Sequence, residues 1–194
     1  SQLIESLAPG VLDTALKQSV FDISMGTPFW LVQAALHYSE QSHISLTTFS
    51  GLESLLTARA QSLSDPAIAV WRLHCAWRLP LTFPTARDIL QAFDIDLSPD
   101  HLDGLEALGW LTPDPIRPSD GLRPAHDILA EWGVADLPVT FERSLHAQIA
   151  RAVSRQDGSP SRIARHWQSA SKTLRAANWS ARAAHAAARA GAHR

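Results

Sequence analysis

Helix starts of one kind recur along this chain: a Ser, Thr or Asp followed directly by Pro. They are Thr27-Pro28, Asp65-Pro66, Ser98-Pro99 and Ser159-Pro160. The first side chain can accept hydrogen bonds from the amides of the first helical turn. Proline at the start of a helix gives up only an N–H that has no partner within that helix. Apolar residues follow each start, mostly every three or four positions. The pattern predicts an all-α chain with very little β structure.

The middle of the chain is predicted to contain three helices and a hairpin. The helices are expected from Asp65, Thr85 and Ser98. A short strand, a proline-rich loop and a brief return strand are expected next, over residues 110–112, 113–121 and 122–123. Three helices followed by a small hairpin are typical of a winged helix.

The remaining segments are predicted to be helical throughout. An apolar stripe runs through Phe141, Leu145, Ile149 and Val153, and further helices follow after Ser159. Paired helices of this length with small contact residues are typical of the first unit of a helical repeat, which cannot bury its own face alone. We therefore expect three domains: a lid-like helical bundle, a winged helix and a TPR-like repeat tail, at residues 1–64, 65–139 and 140–194.

Charge is divided unevenly along the chain. Residues 1–142 carry 7 Lys and Arg against 18 Asp and Glu, whereas residues 143–194 carry 10 against 1. Such a split suggests two parts with different neighbours. The basic part either attracts the acidic part or forms a solvated helical face. The alternatives are a contact with an acidic partner or nucleic acid, and a contact with another part of a longer parent protein. The candidate contacts for such a partner are Arg175, Arg182 and Arg189.

Motifs for catalysis and cofactor binding are absent from the sequence. A phosphate-binding P-loop needs a glycine-rich loop that ends in Lys, and neither Lys17 nor Lys172 follows one. The sequence also lacks zinc, calcium and serine-hydrolase motifs. The only cysteine, Cys75, lies among apolar residues and is expected to be a buried hydrophobe. We expect no enzyme activity, no metal and no cofactor in this chain.

Composition favours a globular protein of the cytoplasm. The chain is 45% hydrophobic and 19% charged, which suffices for a buried core. No apolar run reaches the roughly 18–20 residues that span a bilayer, and no signal segment is recognised. A single cysteine excludes an internal disulfide. We therefore expect a reducing, cytoplasmic location.

The expected recognition helix of the winged helix argues against DNA binding. Residues 98–108 carry three carboxylates and no Lys or Arg, and the wing offers only Arg117 and Arg123. Phosphate contacts dominate affinity for nucleic acids, and carboxylates oppose them. The sequence thus favours a protein partner over direct DNA binding.

The order of several short motifs resembles the arm that follows the P-loop core in STAND-type signal-transduction ATPases, such as LuxR-type and MalT-like regulators and cyclase-linked ATPases. The likeness covers nearly the whole chain. The motifs are residues 26–31 (GTPFWL), 52–64 (LESLLTARAQSLS), 105–111 (LEALGWL), 123–129 (RPAHDIL), 145–150 (LHAQIA) and 165–167 (RHW).

The resemblance implies a regulatory role in a nucleotide-controlled switch. Pro28 would pack near the adenine, His126 would approach the β-phosphate of bound ADP, and Asp127 would help to orient the helix. ATP or ADP and a P-loop ATPase core would then belong to the parent protein. The alternative for His126 is a capping or packing role at the domain boundary. Two alternatives for the chain are a free-standing winged-helix nucleic-acid binder that uses the basic tail, and a structural adaptor.

Overall fold

The computed structural model describes residues 28–40, 52–135 and 137–191, which are mostly helical. The prediction of an all-α chain with a short hairpin is confirmed. The described helices are α1 (Pro28–Glu40), α2 (Leu52–Ala60), α3 (Asp65–Trp77), α4 (Phe83–Gln91), α5 (Pro99–Ala107), α6 (Asp127–Ala135), α7 (Val139–Arg155), α8 (Pro160–Ser169) and α9 (Thr173–Gly191). The two strands are β1 (Leu111–Pro113) and β2 (Leu122–Pro124).

The chain divides into two compact units, Ser1–Ile68 and Ala69–Arg194. The predicted domain boundaries at 64 and 139 stay predictions. Residues 1–27 and 41–51 of the expected lid-like bundle lie outside the described residues, as does the Gly26-Thr27 part of its first motif.

In the first unit, α1 and α2 contact each other. Leu31 and Ala34 of α1 and Leu55 of α2 are buried. The buried guanidinium of Arg59 donates a hydrogen bond to the side-chain oxygen of Gln33, so a polar contact accompanies the apolar packing. A charged side chain is tolerated inside a core only with such a partner.

In the second unit, α3, α4 and α5 lead into the antiparallel hairpin, as expected for a winged helix. Leu111 faces Pro124, and Pro113 faces Leu122. A bridge between Leu81 and Leu122 extends this small sheet. Gly121 permits the close approach, since its φ is 113° and a Cβ there would lie 2.2 Å from the Leu81 carbonyl oxygen.

Local signals account for several helix starts. Pro99 and Pro160 are the first residues of α5 and α8, in agreement with the sequence. The Ser98 backbone N–H donates to His101 Nδ1 at 3.2 Å. This hydrogen bond joins the residue before α5 to the first turn of the helix. The helix expected from Thr85 begins earlier, at Phe83, with Pro84 in its first turn.

A tryptophan cluster forms the core beside the hairpin. The rings of Trp71 and Trp110 meet edge to face with centroids 4.8 Å apart, and Trp132 of α6 lies 5.4 Å from Trp71. Gly133 lets α6 approach α3, because a Cβ there would lie 2.6 Å from Cys75 Sγ. Cys75 is fully buried, as the sequence predicts, and burial raises the pKa of its thiol.

The tail packs α7 against α8 and α8 against α9. Leu145, Ile149 and Val153 of α7 are buried, as expected from their spacing, and Trp167 of α8 joins them. The fourth member of the predicted stripe, Phe141, is half-buried and faces Phe93 at 5.2 Å. Among the described residues of α9, Ala176 is the buried one. Most of α9 is therefore left exposed, as in the terminal helix of a repeat.

Candidate functional site

His126 and Asp127 lie where α6 begins, directly after the hairpin. His126 is exposed, its carbonyl accepts the Ala130 N–H at 3.2 Å, and its Nδ1 accepts the Ile128 N–H at 3.2 Å. Asp127 is the first residue of α6 and is also exposed. His126 thus has the geometry of a helix cap, with its ring at the positive end of the helix. Asp127 places a carboxylate in the first turn, which suits the same dipole.

Pro28 lies in the other unit. It is the first residue of α1 and is exposed. His126 and Asp127 are neighbours because they are consecutive in the sequence. Pro28 belongs to the first unit, which is described by itself.

The three tail arginines are all exposed on α9. The Arg175 guanidinium lies 4.7 Å from the centroid of the Trp167 ring, and that of Arg182 lies 4.5 Å from the Trp179 ring. Arg189 lies in the last turn of the helix. Cation–π contacts of this kind hold a guanidinium in place at an exposed site while leaving it charged.

The structure also forms a cavity that the sequence did not predict. It lies where the end of α3, α6, α7 and α8 meet, and its volume is about 300 Å³. Its polar lining combines two guanidinium groups, two imidazoles and one hydroxyl. The lining residues are Ala76, Arg78, Val134, His146, Arg165, His166 and Ser169.

Two histidines meet at this cavity. The Nδ1 atoms of His146 and His166 lie 2.9 Å apart, and the ring centroids are separated by 5.1 Å. Glu142 Oε1 lies 4.0 Å from the other nitrogen of His146. His166 is only 2% exposed, and its Nε2 is buried without a hydrogen-bond partner among the described residues. One Nδ1 must therefore donate and the other accept, which requires at least one neutral ring.

The surroundings keep both imidazoles neutral at pH 7. Burial, together with the smaller effects of the neighbouring His146, Arg162 and Arg165, lowers the pKa of His166 to about 3. Burial also lowers the pKa of His146, where Glu142 acts in the opposite direction and Arg165 reinforces the shift. A buried cation costs free energy unless an opposite charge lies close to it. The pair can therefore take up a proton if an anion is brought to it.

The two arginines that line the cavity lie on different elements, Arg78 directly after α3 and Arg165 on α8. Arg78 follows α3, its N–H donates to the His74 carbonyl at 3.0 Å, and its φ of 63° is in the left-handed region. Arg165 lies on α8, one residue before His166. Glycine is usual in the left-handed conformation, so an arginine at position 78 bears a conformational cost.

Arg162 lies on α8, one turn before His166, and contacts the end of α3. It donates to the Trp77 carbonyl at 3.0 Å and lies 4.1 Å from the centroid of the Trp77 ring. Burial lowers its pKa to about 10, which leaves it charged at neutral pH. The end of α3 is thereby tied to α8.

The histidine pair was missed because its signal is not local. His146 and His166 are twenty residues apart on consecutive helices, and only the rotation of α7 against α8 decides whether they meet. Apolar periodicity predicts that each histidine lies on a helix, but it does not predict that the two side chains meet. A hint was available, since His146 follows Leu145 and His166 precedes Trp167, both of which are buried.

Two kinds of site are not found in the described part of the chain. Its residues contain no group of three or more His, Cys, Asp or Glu arranged to hold a metal ion. None of its helices has the length and apolar character needed for a membrane span.

No protein-family model matches the chain, and neither a curated protein nor a solved structure matches it. The STAND-type resemblance therefore depends on the motifs of the sequence alone.

Proposed function

We propose that this chain is the non-catalytic regulatory portion of a nucleotide-switched signalling or transcriptional ATPase. It would couple the nucleotide state of a P-loop core to the binding of a protein partner. The proposal depends first on the surface of the winged helix, and then on the position of His126 and the exposure of α9.

The observation that carries the proposal is the acidic exposed face of α5. Asp100, Asp103 and Glu106 are all exposed on the helix that would enter the major groove if this winged helix read DNA. Three carboxylates there would be repelled by phosphates. A winged helix with this surface is better suited to a basic protein surface than to DNA.

The start of α6 supports contact with a nucleotide in the parent protein. Backbone amides and an imidazole at a helix N-terminus suit phosphate oxygens. His126 is exposed at such a position, just after the hairpin. Few other contacts with the nucleotide would come from the start of α6, so the affinity of this position for ATP or ADP should be weak by itself. Calorimetry that finds tight, stoichiometric ATP binding by the isolated chain would contradict the proposal.

The exposed α9 supports a partner for the tail. A nineteen-residue helix with one buried position leaves a long surface available, and its arginines give that surface a positive charge. An acidic protein surface or a further helical repeat would complement it.

The same arginines favour a second candidate, a nucleic-acid binder that uses Arg175, Arg182 and Arg189. A gel shift at increasing salt separates the two. The regulatory proposal predicts no shift of duplex DNA at physiological salt. A shift that weakens steeply with salt and disappears in the Arg175→Gln/Arg182→Gln/Arg189→Gln variant would favour the second candidate.

A structural adaptor without nucleotide coupling is the third candidate. It shares the fold but assigns His126 only its capping contact. It predicts that replacing His126 leaves the nucleotide response of the parent ATPase unchanged.

A further inference from the structure

We propose that the cavity lined by Arg78, His146, Arg165, His166 and Ser169 binds a small oxyanion, and that the histidine pair takes up a proton as the anion binds. The ligand would be a phosphate, or a carboxylate group of a small metabolite. This site goes beyond the proposed function, since it would give the chain an effector of its own.

The charge of the lining favours an anion. Arg78 and Arg165 supply two guanidinium groups, which suit the oxygens of phosphates and carboxylates. Ser169 adds a hydroxyl, and the residues that line the cavity include no carboxylate. A volume of about 300 Å³ is at the small end of ligand pockets, which fits a compact anion.

The histidine pair makes binding depend on pH. Glu142, 4.0 Å from His146, is the carboxylate that faces the pair, and the cations around the pair are Arg78, Arg162 and Arg165. Burial, and to a smaller extent the positive charge around them, keeps the rings neutral. An anion beside them reverses that balance and favours the protonated form. By linkage, affinity for the anion must then rise as pH falls.

The backbone at Arg78 supplies an independent argument. Its φ of 63° is a conformation in which glycine is the favoured residue. The helix dipole favours a cation at the end of α3, and the same side chain lines the cavity, so Arg78 is placed to meet an anion there.

The position of the cavity would let a bound anion connect two parts of the second unit. Arg78 follows the first helix of the winged helix, whereas Arg165 and the histidines belong to the tail helices. An anion held by both guanidinium groups would connect these two parts of the second unit. Such a bridge stabilises whichever arrangement binds the anion better.

The test is a calorimetric titration of the full chain with sulfate, which stays a dianion between pH 5.5 and 8. We expect binding that tightens severalfold from pH 7.5 to 6.0, up to about tenfold per pH unit for one proton taken up. The apparent enthalpy at pH 6.0 should change with the ionisation enthalpy of the buffer. Inorganic phosphate and succinate, titrated in parallel, then distinguish the two sources of the anionic group.

The variant Arg78→Gly removes one cation at a position where glycine fits the backbone. It should weaken sulfate binding at least tenfold while the chain stays folded. Asp157→Gly is its matched control, since Asp157 also has a positive φ, 51°, and does not line the cavity. This control should bind sulfate as the unchanged chain does.

A separate basic groove is a possible competing site. It is lined by Arg143, Arg151 and Lys172 among others. Arg143→Gln/Lys172→Gln should leave the pH-dependent binding in place. The proposal is overturned if sulfate does not bind, if binding is lost in this groove variant but not in Arg78→Gly, or if affinity does not change with pH.

Discussion

His146 on α7 and His166 on α8 meet through their Nδ1 atoms, which lie 2.9 Å apart. A hydrogen bond between them needs one donor and one acceptor, so it is lost when both rings are protonated. Two helices of the tail are thus joined by a contact that acid can break. The neutral pair stabilises the fold near pH 7 and offers a place for a proton when an anion is present.

We predict that the chain loses stability as pH falls. Burial lowers the pKa of His74 to about 4 and that of His166 to about 3, from 6.5. The unfolded chain then binds more protons than the folded one below about pH 6.5, so stability is fully present above that pH and decreases below it. For His74, which is fully buried, the loss between pH 7.5 and 5 is about 2 kcal/mol. Urea unfolding at several pH values measures it.

The variant His74→Leu is the check on that assignment. His74 Nδ1 lies 2.8 Å from the Val70 carbonyl oxygen, and its Nε2 has no hydrogen-bond partner among the described residues. Leucine replaces the titrating imidazole with an apolar side chain of similar size. The stability of the variant should depend less steeply on pH; an unchanged slope would contradict the assignment.

A second prediction concerns glycine at the contact of α6 with α3. A Cβ at position 133 would lie 2.6 Å from Cys75 Sγ and 2.9 Å from the Trp71 ring. Gly133→Ala should therefore destabilise the chain by about 1–3 kcal/mol through overpacking. Gly104→Ala is the matched control, because a Cβ there meets nothing within 4 Å and alanine is the better helix former. It should stabilise the chain by about 0.5–1 kcal/mol. Equal effects of the two variants in urea unfolding would rule out this account of the contact.

A third prediction compares two tryptophans. Trp71 is 1% exposed and contacts both Trp110 and Trp132. Trp71→Ala should cost about 3–5 kcal/mol, since it opens a large cavity in the core. Trp179 lies on the exposed α9, and its replacement removes a cation–π contact with Arg182 worth about 0.5–1 kcal/mol. Thermal unfolding of both variants measures the difference, and similar losses would contradict the placement of the core.

A fourth prediction separates the two possible roles of His126. Its Nδ1 accepts the Ile128 N–H, so His126→Ala should destabilise the chain by about 0.5–1 kcal/mol through loss of a helix cap. Serine is a good cap, and His126→Ser should recover most of that loss. Urea unfolding tests this, and a failure of serine to recover stability would show that the cap is not what His126 contributes.

Much of the fold could be predicted because its signals are local. Proline after Ser98 and after Ser159 places two helix starts correctly, and the proline-rich loop locates the hairpin. Cys75 was rightly assigned to the core from its apolar neighbours.

The cavity could not be predicted because it depends on how helices are rotated and spaced against one another. The meeting of His146 with His166 requires the register of α7 on α8, which periodicity does not contain. Nothing in the residues around Arg78 signals a left-handed backbone, since glycine is the usual marker of one. The roles of Pro28, His126 and Asp127 toward a nucleotide stay predictions from the resemblance.

The most direct test of the regulatory proposal is the rate at which ADP dissociates from a polypeptide that carries both this chain and the P-loop ATPase core that the proposal assigns to its parent protein. We predict that His126→Ala and His126→Ser both speed ADP release at least tenfold, because each removes the imidazole while serine keeps the helix cap. Unchanged release in both variants would contradict the account and leave His126 a structural cap.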